Sequence, residues 1–316
     1  MTAEPRSGDH GRSVSSRTEE RNSRTVDIDL VSTEEVLRLL NAEEATVAGA
    51  VASVLPVLAT VVDHVVERIR AGGRVHYFGA GTSGRMGVLD SAEVIPTFGV
   101  EPGVFVAHQA GGEYALSTAV EGAEDDEALG ARDARAVSAA DVVVGITASG
   151  RTPYVAGALR SARLAGAMTV LVSSNPAAPL AALAQHDVLV DTGPEAIAGS
   201  TRLKAATAQK MVLNALSTAA MVRLGHTYSN LMAGLSGSNA KLRQRQLAIL
   251  REASGAPDEA CRAELAGCAG NLRLALLCLL SGLEPAEAAA ALAEAGGSVR
   301  RALATLGPAD RETPGE

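Results

Sequence analysis

Gly79-Ala80-Gly81-Thr82-Ser83-Gly84-Arg85 and Thr147-Ala148-Ser149-Gly150-Arg151-Thr152 are two turns rich in glycine and hydroxyl side chains. Each follows an apolar run, Arg74-Val75-His76-Tyr77-Phe78 or Asp141-Val142-Val143-Val144-Gly145-Ile146, and each opens a helical pattern. Glycine lets backbone approach an anion, helix-start N–H groups point at it, and Ser and Thr hydroxyls add donors. On parallel strands both turns lie at the carboxyl edge of the sheet, where open α/β sheets bind ligands. The pair predicts a cradle for a phosphoester, with Ser83, Thr147, Ser149 and Thr152 as hydroxyl donors and Gly81 and Thr82 beside them.

Carboxylates near such an anchor can divide acid and base roles when their surroundings push their pKa values apart. Glu93 lies nine residues past Gly84, with Asp90 three residues before it on the same helical face, and Glu121-Gly122-Ala123-Glu124-Asp125-Asp126-Glu127 supplies more. The residues alone leave open which of these enter a cleft, and an acidic run is also what a solvated loop and helix start would show. Arg202 and Lys204, at the start of a later helical run, are suited either to an anion or to an ordinary capped helix.

The first turn also fits G-x-G-x-x-G, but a dinucleotide fold places a carboxylate at the end of the next strand to hold the ribose. That strand, Val104-Phe105-Val106-Ala107, runs into His108-Gln109-Ala110-Gly111-Gly112 instead. The six histidines are widely spaced, with no H-x-x-x-H pair, and the expectation is that no metal is held. His226 lies in a polar segment and His76 inside a predicted strand. Cys261, Cys268 and Cys278 lack C-x-x-C spacing and read as buried, reduced thiols.

Composition narrows the classes further. With 47% hydrophobic residues over 316 positions the chain can bury a large core. A net charge of −8, 2% aromatics and no Trp argue against nucleic acid. The first residues carry no apolar leader, so cytoplasmic residence is the expectation. Residues 45–62 lack charge, but their larger apolar residues recur at helical spacing, which predicts a core or dimer-interface helix and no membrane span.

The elements that must position the turns follow the alternation of a doubly wound parallel sheet. Strands are predicted near 74–78, 103–107, 142–146, 168–172 and 187–190, with helices near 84–93, 113–120, 127–137, 153–165 and 177–184. A long helix over about 42–71 precedes them, after a shorter one opened by Ser32-Thr33-Glu34-Glu35. Helices over 203–224 and 240–253 follow. The domain reading is a disordered stretch at 1–17, a sugar-phosphate domain at 18–254, a small all-helical domain at 258–306 and a disordered tail at 307–316.

Taken together, Thr18-Glu19-Glu20-Arg21-Asn22, Gly79 to Glu93 with Pro96-Thr97-Phe98-Gly99, Val120 to Asp125, Ala148 to Tyr154 and Gly199 to Leu213 resemble the N-acetylmuramic acid 6-phosphate etherase family of the sugar isomerase (SIS) superfamily. The resemblance spans roughly residues 18–250. It departs at Val94-Ile95, where a Cys-Pro type of pair is usual, and at Ala206, where Gly is common. It implies the SIS fold, a homodimer with sites near the subunit interface, no cofactor, and a small ubiquitin-associated-like C-terminal unit. The implied reaction cleaves the D-lactyl ether of N-acetylmuramate 6-phosphate to N-acetylglucosamine 6-phosphate and D-lactate, by elimination and water addition on the open-chain sugar. By the same resemblance Glu93 protonates the departing lactyl oxygen and Glu124 is the second active-site residue, a candidate base at C2. Two rival readings are a sugar-phosphate isomerase on the same fold and a non-catalytic sugar-phosphate sensor.

Overall fold

The computed structural model describes residues 16–237 and 239–306. Most of the expected disordered N-terminal stretch and the tail from 307 lie outside the described residues, although Arg17 already opens a short 3-10 helix. The elements are α1 (Thr33–Glu44), α2 (Val47–Ala52), α3 (Leu55–Arg70), β1 (Val75–Gly79), α4 (Gly81–Phe98), β2 (Phe105–Gln109), α5 (Glu127–Asp133), β3 (Val142–Thr147), α6 (Pro153–Leu164), β4 (Met168–Ser173), β5 (His186–Leu189) and α7 (Lys204–Arg223). Four more short helices follow α8 (Ala240–Ser254), namely α9 (Asp258–Gly267), α10 (Leu272–Ser281), α11 (Pro285–Glu294) and α12 (Val299–Leu306).

The expected doubly wound sheet is present, with five parallel strands in the order β2-β1-β3-β4-β5. β1, β3 and β4 are buried throughout, as required when helices cover both faces of a parallel sheet. Alternate residues point to opposite faces. Val142, Val144 and Ile146 pack with α3 and α7, whereas Val143 joins Leu159 and Tyr154 of α6 on the other side.

Several predicted helices differ in the structure. The long helix over 42–71 is three pieces, and the axis bends by 61° between the α1–α2 pair and α3. Pro56 explains the second break: it lacks an N–H, so it fits the first turn of α3 and not the interior of a continuous helix. Residues 113–116 and 179–183 form short 3-10 helices where longer α-helices were expected. Conversely, α4 runs five residues past its predicted end, through Pro96, and stops where Gly99 takes a left-handed conformation. Among the described residues no single helix is long and apolar enough to cross a membrane.

The segments around the sheet are tied by buried polar contacts. Residues 18–25 lie along 196–199: Gly199 N donates to the Thr18 carbonyl at 2.9 Å and Thr25 Oγ1 to that of Ala196 at 2.8 Å. A third apolar cluster joins α8 (Leu247, Leu250) to α9–α12 (Leu272, Leu276, Ala288, Val299). α8 therefore packs with the C-terminal helices, although it lies on the near side of the Gly255-Ala256-Pro257 stretch.

Candidate active site

The strand order changes direction between β1 and β3, since β1 has β2 on one flank and β3 on the other. Crevices at such switch points, outside the carboxyl ends of the strands, are where doubly wound sheets bind ligands. Register sets Gly79 beside Ile146, so the two hydroxyl-rich turns leave the sheet side by side.

The first turn is built by close approach of backbone to backbone. A Cβ on Gly79 would meet Gly84 N at 2.6 Å, and one on Gly84 would meet the Gly79 carbonyl oxygen at 2.5 Å. Only glycine at both positions lets α4 start this close to β1. Gly81 takes φ +53° with open space where a Cβ would stand. Ser83 is buried against the sheet and Thr82 is half-buried.

The second turn holds its hydroxyls in a network. Thr147 Oγ1 lies 2.8 Å from Thr152 Oγ1 and 3.5 Å from Ser149 Oγ. Gly150 N donates to Thr147 Oγ1 at 3.2 Å and Arg151 N to Ser149 Oγ at 3.3 Å. Thr152 stands at the N-cap of α6 with Pro153 at the first helical position, so the helix's first N–H groups open toward these oxygens. Donors at a helix start, backed by convergent hydroxyls, suit an anion.

Glu124 enters this region through a cavity of about 200 Å³, which it lines with Gly81, Arg85, Gln109 and Val120. Arg85 fixes one wall by donating to the carbonyls of Leu116 at 2.9 Å and Ala115 at 2.8 Å. Glu93 is placed differently. It is exposed on α4, ten residues beyond Ser83, and a rise of 1.5 Å per residue puts it about 15 Å further along the axis. That offset sets Glu93 well along α4 from the first hydroxyl-rich turn of its own copy. Asp90, which the sequence set on the same helical face as Glu93, points inward. Its carboxylate accepts from Tyr77 Oη at 2.9 Å, Asn214 Nδ2 at 2.7 Å and Ser217 Oγ at 2.9 Å. Burial pushes its pKa upward against those hydrogen bonds, and its role is to join α4 to α7 and β1.

The two basic candidates do not line the Glu124 cavity. Lys204 is fully buried and its ammonium is 2.8 Å from Glu43 Oε2, while Arg202 is exposed. Glu43 also accepts from Arg24, at 2.8 Å to Nη2, and these partners, Arg24 foremost, hold its pKa down to about 2. The start of α7 is capped by Glu195, which accepts from Lys204 N and Ala205 N at 3.0 Å each. The cavity of Glu124 is lined by neither Arg202 nor Lys204.

Two residues not singled out in the sequence belong to the cradle's surroundings. Gln109 ends β2 and lines the Glu124 cavity, and its buried Oε1 lacks a hydrogen-bond partner. Asn175 braces the second turn, with Nδ2 donating to the Ser149 carbonyl at 2.8 Å. Their common signal is position at or just past the carboxyl end of a strand, legible once strand order is known. His226 donates from Nδ1 to the Phe98 carbonyl at 2.7 Å and so pins the segment after α7 to the end of α4.

Comparison with known proteins agrees with this geometry. The SIS domain model matches residues 116–219, and that of the glucokinase regulatory protein N-terminal SIS domain matches 57–163. N-acetylmuramic acid 6-phosphate etherase from Thermobifida fusca is 58% identical over 268 residues, covering 85% of this chain and 88% of the relative. The protein of that name from Rubrobacter xylanophilus is 51% identical over 288 residues, 90% of this chain and 95% of the relative. At such identity along nearly the whole of both chains, on a sheet with this paired cradle, the protein belongs to the N-acetylmuramic acid 6-phosphate etherase family.

Proposed function

We propose that this chain cleaves the D-lactyl ether of N-acetylmuramate 6-phosphate, giving N-acetylglucosamine 6-phosphate and D-lactate. The observation that carries the reading is the pair of turns at the switch point, with Glu124 in the adjoining cavity, on a chain of this family. The hydroxyls of Ser83, Thr147, Ser149 and Thr152 hold the phosphate, with N–H groups at the starts of α4 and α6 sharing its charge. Gly81 and Thr82 shape the approach. The aldehyde of the opened sugar acidifies the C2 proton. Glu124 removes that proton, the C3–oxygen bond breaks, and Glu93 protonates the departing lactyl oxygen. Water then adds across the resulting double bond, its oxygen to C3 and a proton to C2. The step needs one base and one acid.

The enzyme acts as a cytoplasmic homodimer. The separation of Glu93 from the cradle within one copy supports a site in which a neighbouring copy supplies Glu93 to the Glu124 cavity. Residues 18–254 make up the SIS unit and 258–306 the small helical unit, on which α8 packs. Lys204 ties the start of α7 to Glu43 of α1, and Arg202, exposed beside it, is left to meet the charge of the substrate.

The test is incubation of purified protein with N-acetylmuramate 6-phosphate in heavy-oxygen water, assaying D-lactate and the position of the label. Lactate release with oxygen-18 at C3 of the sugar is the expected result. Tight sugar-phosphate binding with no lactate would overturn the proposal and favour a sensor.

A further inference from the structure

Away from the sheet, the C-terminal helices bring together three side chains that are spread along the sequence. Glu264 lies one turn before Cys268 on α9, and Cys278 faces them from the last turn of α10. Cys268 Sγ is 3.9 Å from Cys278 Sγ and 3.5 Å from Glu264 Oε1, and the three ligand atoms lie within 4.8 Å of one another. Both sulfurs are buried and Glu264 is half-buried, so the cluster is closed by apolar side chains on one side and reachable from solvent on the other.

These spacings can be compared with a coordination polyhedron. Zinc binds thiolate sulfur at about 2.3 Å and carboxylate oxygen at about 2.0 Å, so the tetrahedral edges are about 3.8 Å between sulfurs and about 3.5 Å between sulfur and oxygen. The two edges at Cys268, to Cys278 Sγ at 3.9 Å and to Glu264 Oε1 at 3.5 Å, lie close to these values before any ion is bound. Two sulfurs with one oxygen select a soft or borderline cation over magnesium or calcium. Cys268 is the C-cap residue of α9 and Cys278 lies in the last turn of α10, and the partial negative charge of helix C-termini favours a cation near them.

We propose that Glu264, Cys268 and Cys278 form a tetrahedral site for a thiophilic divalent cation of the zinc class, with water as the fourth ligand. Each thiol gives its proton to solvent as its sulfur binds, and the ion clamps α9 to α10. The proposal is independent of the etherase reading, because the cluster lies outside the cradle.

The test uses the full-length protein, reduced with a phosphine and titrated with cobalt(II), then zinc. A thiolate-to-cobalt charge-transfer band saturating at one ion per chain and displaced by zinc is the expected result. Cys268→Ser and Cys278→Ser lose the band, and Cys261→Ser keeps it, since Cys261 Sγ instead approaches the Ala256 carbonyl. Absence of the band in reduced wild-type protein, or its persistence in both serine variants, overturns the site. Should a serine variant fail to fold, Glu264→Gln decides, its side chain being half-exposed. Its cobalt affinity falls at least ~10-fold if the site is real, since even outer-shell partners carry that much. Unchanged affinity overturns it.

Discussion

Thr147 Oγ1 lies 2.8 Å from Thr152 Oγ1, so the last residue of β3 and the N-cap residue of α6 hold each other's hydroxyls across the second turn. The pair keeps both oxygens converged where the helix's N–H groups open. Hydrogen bonds to a charged group contribute about 1.5–3 kcal/mol, or roughly 10- to 100-fold in affinity. Thr147→Val and Thr152→Val are therefore expected to weaken sugar-phosphate binding by that factor. Titration calorimetry with N-acetylglucosamine 6-phosphate checks this, and wild-type affinity in both variants would remove these hydroxyls from the phosphate site.

Glu93→Gln and Glu124→Gln should each lose lactate release, with general acid–base catalysis lost to the extent of about 10²- to 10⁴-fold. The geometry also predicts complementation. If a neighbouring copy supplies Glu93, a mixed dimer of the two variants carries one intact site. Random mixing then restores about a quarter of wild-type activity, since half the dimers are mixed and each has one working site of two. No recovery after mixing would place both carboxylates in one copy's site.

Gly84→Ala tests the close approach of α4 to β1. Its Cβ would lie 2.5 Å from the Gly79 carbonyl oxygen and 2.1 Å from Gln109 Oε1. The Gln109 side chain can turn away, but the Gly79 backbone cannot without shifting β1. A stability loss of about 1–3 kcal/mol, typical of overpacking, is expected with weakened phosphate binding. Chemical denaturation reads the first effect and ligand-induced Tm shift the second.

The Lys204–Glu43 pair is buried on both sides, and Lys204→Met leaves the carboxylate with Arg24 alone among its cationic partners. Removing the sole partner of a buried charge costs about 3–5 kcal/mol, and because Arg24 stays on Glu43 the loss here falls below that range. The effect depends on pH. Glu43 is held near 2 in the fold against an ordinary value of 4.5, so its contribution is fully present above about 4.5 and is lost as pH falls toward 2. The stability gap between wild type and Lys204→Met should narrow through that window. A constant gap in urea unfolding would contradict the assignment.

His108 contributes at milder pH. Burial, aided by the His76 ring nitrogen 3.1 Å away, pushes it down to about 4 from 6.5. The unfolded chain takes up its proton first, so stability present above about 6.5 declines as pH falls to 4, by up to about 1.4 kcal/mol per pH unit. His108→Asn should flatten that decline in unfolding experiments. An unchanged slope would assign it to other groups.

The local order of strand, turn and helix was written in the residues themselves. Apolar runs of five or six ended in glycine and hydroxyl clusters, and both turns stand at the carboxyl ends of β1 and β3 as their spacing predicts. Local chemistry also placed the start of α1, where Ser32 caps Glu35 N. Helix continuity was less legible, because apolar periodicity runs straight through Ser53 to Pro56 while the proline ends the hydrogen-bond ladder. Length was misjudged where short Ala-rich segments had too few turns to sustain an α-helix, as at 179–183.

Relations between distant residues were decided by packing alone. Periodicity assigns a side chain to a face of its own helix, but not to a neighbour. So residue types and spacing alone did not separate Asp90 from Glu93, and only the resemblance favoured Glu93, whereas the docking of α4 on α7 buries Asp90 and leaves Glu93 exposed. The sequence left Lys204 open between an anion ligand and part of an ordinary capped helix, whereas the approach of α1 provides Glu43 at 2.8 Å. It read three unpaired thiols, whereas the turn between α9 and α10 sets Cys268, Cys278 and Glu264 at ligand spacing. The sequence by itself determined the sheet, the two turns and the family; which charged and sulfur side chains meet was decided by the tertiary structure, because only interhelical packing sets distances between residues far apart in the chain.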